Sequence, residues 1–101
     1  MELDKIKQIL QDNKEKATNL VWTAQKSHDT QRINRGKVEV YDKVIESLDK
    51  GLGESDIVQM LKQEKEAVAP TLDDSKVPHN RQMQNQGKIE CCDEVIELLQ
   101  K

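Results

Sequence analysis

Phenylalanine is absent from this chain, and its 101 residues include one tryptophan and one tyrosine. A core must therefore be assembled from Leu, Ile, Val and Met, and with 35% hydrophobic against 35% charged residues it must be thin. Domains of this length are marginal because much of their surface stays wet after folding. One domain spanning residues 1–101 is the most the chain can build, and self-association into a homo-oligomer would bury further apolar area.

Long apolar runs are missing too. The opening residues, MELDKIKQILQDNKEK, alternate charged and apolar positions and contain no stretch of signal-peptide or membrane length. A soluble, cytoplasmic protein without a membrane partner is expected. Positive charge is not in excess: 16 Lys and Arg against 19 Asp and Glu leave a net charge of −3 and a pI near 5.4. That balance argues against nucleic acid as a partner, because phosphate binding needs many cations gathered on one face.

Cysteine is confined to the adjacent pair Cys91 and Cys92. Within a helix their Cβ atoms point apart, so they cannot bridge to each other, and in a reducing compartment they serve as small, semi-apolar side chains. A metal site would need further Cys or His at ligand spacing, and the nearest histidine, His79, lies well upstream. No Ser, His and Asp arrangement has the context of a nucleophile. The RGK around Gly36 lacks the preceding strand and the spacing of a phosphate-binding loop. Neither a cofactor, nor a metal, nor enzymatic activity is expected.

What the chain does contain is a repeat. NRGKVEVYDKVIESL, residues 34–48, returns as NQGKIECCDEVIELL at residues 85–99, with nine of fifteen positions identical. A shift of 51 residues also aligns Ile6 with Ile57, Leu10 with Leu61 and His28 with His79. Apolar residues step by three and four through Leu3, Ile6 and Leu10 and, across the polar Asn13, through Ala17, Leu20 and Ala24, the spacing of one helix face. A second such stretch runs from Ile33 to Leu48 and stops at the glycines of DKGLGES. Ser55 is the expected N-cap of a third helix carrying Ile57, Met60 and Leu61. Pro70 closes or kinks that helix, and Pro78 suits the first turn of a fourth.

The expected fold is all-α: two tandem helical hairpins, residues 1–50 and 55–101 joined by a linker at 51–54, packed as a pseudo-twofold four-helix bundle in which each half covers the other's apolar face. The break in the first half is placed near KSHDT, where Ser27 and Thr30 can cap. Its rival is one helix from residue 2 to about 49, roughly 70 Å long at 1.5 Å per residue.

Two sets of residues are candidates for function. Trp22 projects about 160° from the Leu20 and Ala24 stripe at 100° per residue, and it either packs on the connection at residues 70–77 or anchors a protein partner, a role in which Trp is enriched. His28, Arg32 and Arg35 form the densest local positive patch, with an Arg35–Glu39 surface ion pair expected at helical spacing. Leu98, whose counterpart is Ser47, widens the last helix's apolar strip, either as a homodimer seam or as filler under a loop. These five residues, Trp22, His28, Arg32, Arg35 and Leu98, make the partner-binding set.

The second set is Asn34, Lys37, His79, Asn85 and Lys88. Asn34 and Lys37 are polar positions within an apolar arc, and both recur in the second copy. They either bond carbonyls left open at the end of the preceding helix or converge on an anionic ligand or nucleotide. Gly36 and Gly87, each costing about 0.5 to 1 kcal/mol relative to Ala inside a helix, point to close approach of another backbone.

The repeated pattern GKxExxDxVIExL resembles segments in small open reading frames of Firmicutes phages and mobile elements. The resemblance covers about 15 residues per copy and implies a regulator or antagonist of a host system. A non-enzymatic protein that docks a helix face on a larger protein partner is the leading expectation.

Overall fold

Ser27 decides the architecture of the first half. In a computed structural model describing residues 2–22 and 27–100, its backbone is extended (φ −64, ψ 157) and its side chain accepts a hydrogen bond from the Thr30 N–H at 3.1 Å. A capped helix starts there, so a hairpin replaces the rival single helix. The molecule's extents of 38 × 29 × 22 Å leave no axis for a rod of about 70 Å. Residues 23–26, and with them Ala24 of the expected apolar stripe, lie outside the described residues.

The elements are all helical: α1 (Leu3–Trp22), α2 (His28–Asp49), α3 (Glu54–Val68), a 3-10 turn (Ala69–Asp73) and α4 (His79–Leu99). Among the described residues there is no strand, and no helix is long and apolar enough to cross a membrane. Gly51 ends α2 with φ 86, a left-handed conformation that costs glycine nothing. Its N–H bonds to the Leu48 carbonyl at 3.0 Å and the Leu52 N–H to that of Ser47 at 3.1 Å, which satisfies two of the helix's open acceptors.

Two expected boundaries shift. The N-cap of α3 is Gly53 rather than Ser55, because Gly53 is already extended (φ −83, ψ 171) and lets Glu54 and Asp56 enter the first turn, where the helix dipole favours carboxylates. Pro78 caps α4 with an extended backbone (φ −56, ψ 144) instead of sitting in its first turn. Pro70 acts as anticipated: α3 stops at Val68, and the chain tightens into the 3-10 turn.

Side-chain pairs fix the directions of the helices. Lys7–Asp49 and Lys14–Asp42 set α1 antiparallel to α2, and Lys65–Asp93, with the cleft that Glu54 and Val58 share with Gln100, does the same for α3 and α4. Lys43–Glu64 at 3.3 Å and Ser47–Met60 at 3.7 Å together run α2 antiparallel to α3, and Asn13–Glu94 at 3.3 Å ties α1 to α4. The most extensive interface joins α2 to α4, which run parallel: Asp29 meets His79 near their starts, Lys37 meets Glu90, and Tyr41 meets Glu94 further along. The chain thus goes up, down, up, down, with the two down helices in close contact.

The interior takes side chains from all four helices. Ile6 and Leu10 of α1, Val44 of α2, Ile57 and Leu61 of α3 and Val95 of α4 are fully buried in one cluster, with Cys91 and Cys92 among them. Burial of each aliphatic side chain is worth about 1.5–3 kcal/mol, and none comes from an aromatic except Tyr41.

Candidate functional site

The α2–α4 crossing gathers most of the repeated polar residues. A Cβ on Gly36 would overlap the Gln84 carbonyl oxygen and lie 3.0 Å from the Lys88 amide nitrogen, while one on Gly87 would overlap the Ile33 carbonyl oxygen and lie 2.7 Å from its carbon. The backbones therefore touch at both glycines. On either side stand the lysines, and each has a carboxylate: Lys37 faces Glu90 at 3.8 Å, and Lys88 faces Glu39 at 3.3 Å and Glu64 at 3.9 Å. Their partners are these carboxylates and not the carbonyls at the end of a preceding helix. Opposite charge on the neighbouring helix is nearer.

Asn34, 8% exposed, donates to the Thr30 carbonyl of its own helix at 2.8 Å. Asn85, 4% exposed, donates to the Thr71 hydroxyl at 2.8 Å, which in turn donates to the Val68 carbonyl at 2.6 Å, so Asn85 does close the end of the preceding helix through one relay. No buried side-chain polar atom among the described residues lacks a partner. Asn34 and Lys37 line one open cleft of about 180 Å³ with Asn13, Lys16, Tyr41 and Glu94; Asn85 and Lys88 do not line it, and His79 sits exposed against Asp29 at 2.8 Å.

A different surface forms at the end of α1. Trp22 is 78% exposed and borders a groove of about 230 Å³ lined by Thr18, Val21, Arg35 and Val38. His28 and Arg35 are exposed and Arg32 is half-buried. The anticipated Arg35–Glu39 pair is not formed, because Glu39 reaches across to α4 and takes Lys88 and the Gln84 amide at 2.6 Å. Arg32 and Arg35 have no ion-pair partner among the described residues, whereas seven lysines of the bundle do. Leu98 is half-buried against the core and lines a shallow cleft of about 220 Å³ with Ile9, Asn13, Glu94 and Glu97.

Sequence patterning missed Tyr41 and Glu94. Tyr41 was legible only as part of an apolar arc, yet its hydroxyl donates to Glu94 at 2.7 Å from a buried position. No periodicity signals that bond, since the equivalent positions in the other half hold Cys92 and Lys43.

The cysteines are free and buried. Burial, then the nearby Glu94 charge, pushes the Cys91 thiol well up; burial, then Glu64, raises Cys92 to about 11; and Tyr41 is raised by burial and by its bond to Glu94. These groups stay protonated in the fold at pH values where the unfolded chain has lost their protons. Their stabilising contribution is therefore fully present below the ordinary thiol value of 9.0 and declines as pH rises from there through about 11. Urea midpoints measured from pH 8 upward should fall steadily past pH 9; a flat profile to pH 11 would contradict the burial of these groups. Among the described residues no three His, Cys, Asp or Glu side chains cluster in a way that could hold a metal ion.

Compared with protein-family models, curated proteins and solved structures, the chain gives no match.

Proposed function

We propose that the chain is a non-enzymatic, cytoplasmic interaction protein, a regulator or inhibitor that docks the Trp22 end of its α1–α2 hairpin on a larger protein partner. The observation carrying this reading is the exposed indole at 78%, set beside an apolar groove that Arg35 also lines; Arg35, and Arg32 one turn before it on α2, have no ion-pair partner among the described residues. Trp and Arg are the residue types most enriched among anchoring contacts. Binding of a small anion at Asn34, Lys37, Asn85 and Lys88 has weaker support, because both lysines already face carboxylates and both amides are engaged.

The frame that presents this surface is read as a duplicated hairpin closing about a pseudo-twofold axis. Its support is a set of contacts that convert into one another under a shift of 51 residues. Lys14–Asp42 becomes Lys65–Asp93, Lys37–Glu90 becomes Lys88–Glu39 and Asn13–Glu94 becomes Glu64–Lys43. Gly36 against Gln84 likewise becomes Gly87 against Ile33. A twofold relation turns contact i with j into contact j with i, and these pairs obey that rule.

Capture from a lysate of the source cell with wild type and Trp22→Ala side by side tests the docking surface. The variant should lose the partner that wild type retains, while its melting temperature stays put, since an exposed substitution usually changes stability by less than about 0.5 kcal/mol. Equal capture by both proteins would remove Trp22 from the interface.

A further inference from the structure

The reciprocal contacts imply a choice that the duplication had to make. If the hairpins are related as read above, the face that α1–α2 presents to α3–α4 is built at the same positions as the face it receives. Each hairpin would then fit a second copy of itself as well as its neighbour, with the glycine crossing intact. Lys37 with Glu90 and Lys88 with Glu39 cannot decide between these pairings, because each half carries both the lysine and the glutamate.

Four other positions can decide. In the molecule Lys43 meets Glu64 and Asn13 meets Glu94, each at 3.3 Å. An α1–α2 hairpin pairing with its like would set Asn13 against Lys43 twice and form no such ion pair. An α3–α4 hairpin pairing with its like would set Glu64 against Glu94 twice, like charge on like charge at ion-pair distance. Lys88, of the same hairpin and 3.9 Å from Glu64, accompanies Glu64 in either pairing: it lessens both the repulsion by Glu94 and the attraction to Lys43, so it narrows the difference without changing its sign. The Tyr41 hydroxyl bond to Glu94 is likewise available only when opposite hairpins meet.

We infer that Asn13, Lys43, Glu64 and Glu94 form a specificity lock, so that the α1–α2 face accepts an α3–α4 face, from its own chain or from a second copy, and rejects another α1–α2. The inference rests on the pseudo-twofold reading. It identifies the surface through which two copies of this chain would exchange hairpins, about the Gly51–Gly53 hinge, and the residues that keep the exchange in register.

The test begins from the full-length chain with a protease site inserted between Gly51 and Gly53. After cutting, unfolding in urea and refolding at low salt, native mass spectrometry counts the assembled species. Random choice gives about one half mixed dimer; the lock should raise that share to about four fifths or more, because the exposed pairs and repulsions are individually weak but several add. The preference should shrink as salt is added. A random mixture would overturn the lock while leaving the shared interface standing; separate monomers, or no refolding of cut protein when uncut protein refolds, would overturn the two-halves reading itself. In the uncut chain, Lys43→Glu should lower the melting temperature and Glu64→Lys on top of it should restore it. Additive losses would also overturn the lock.

Discussion

Gly36→Ala should lower the melting temperature by roughly 10–20 °C, a loss of about 2–3 kcal/mol at 4–8 °C per kcal/mol for a domain of this size. The sign is the informative part. An ordinary helical glycine costs about 0.5 to 1 kcal/mol relative to Ala, so its replacement should stabilise. Here the added methyl would overlap the Gln84 carbonyl oxygen and sit 3.0 Å from two further backbone atoms of α4. No rotamer change relieves a clash between two backbones. The helices must separate, and the side chains that pack beside the crossing, Val40, Tyr41 and Cys91, lose contact with it. Gly87→Ala should behave alike, against Ile33. The double variant should lose less than the sum of the two, because one methyl has already moved the helices apart. Thermal unfolding followed by circular dichroism decides the matter, and an unchanged or higher midpoint for Gly36→Ala would refute the close crossing.

How far the sequence reaches toward these contacts depends on the range of the interaction. Helix faces, the end of α2 at Gly51 and the cap at Ser27 are local matters, and the residue types in sequence announce them. The close approach at Gly36 and Gly87 is also legible, since a glycine repeated inside an otherwise good helix has to be there for a spatial reason. That Trp22 points away from the α1 stripe is a property of one helix and is legible; whether it then packs on the connection at residues 70–77 or stays bare depends on where another segment lies, and the structure leaves it 78% exposed. Partner choice is another matter. Glu39 lies one turn beyond Arg35, and the helical spacing rule joins them, yet a lysine on α4 outcompetes that arginine once the backbones touch. Lys37, Lys88 and the Tyr41 hydroxyl were illegible for the same reason: their partners sit on another helix, at a register that only the crossing sets. The start of α3 is not legible to the residue, because Gly53 and Ser55 are both acceptable caps and the difference between them is small beside the packing that follows.

Leu61→Ala should cost about 2–5 kcal/mol, the range for emptying a fully buried leucine site, and Leu10→Ala should cost a similar amount, since both side chains are 0% exposed in one cluster. Against a total of about 5–15 kcal/mol for a domain of this kind, either loss is large. Where the loss appears matters more than its size. Leu61 belongs to α3 and Leu10 to α1, on opposite sides of the chain's repeat, and the cluster that buries them draws on all four helices. If that cluster is one cooperative interior, removing Leu61 must loosen α1 as much as it loosens α3, because neither hairpin keeps an apolar face covered without the other. Hydrogen exchange reports this directly: the slowest amides of α1 and α3 should lose protection by the same factor in Leu61→Ala, and again in Leu10→Ala. Protection lost only in the hairpin carrying the substitution would mean that each half is a separate folding unit, and the thin aliphatic core would then have to be counted as two.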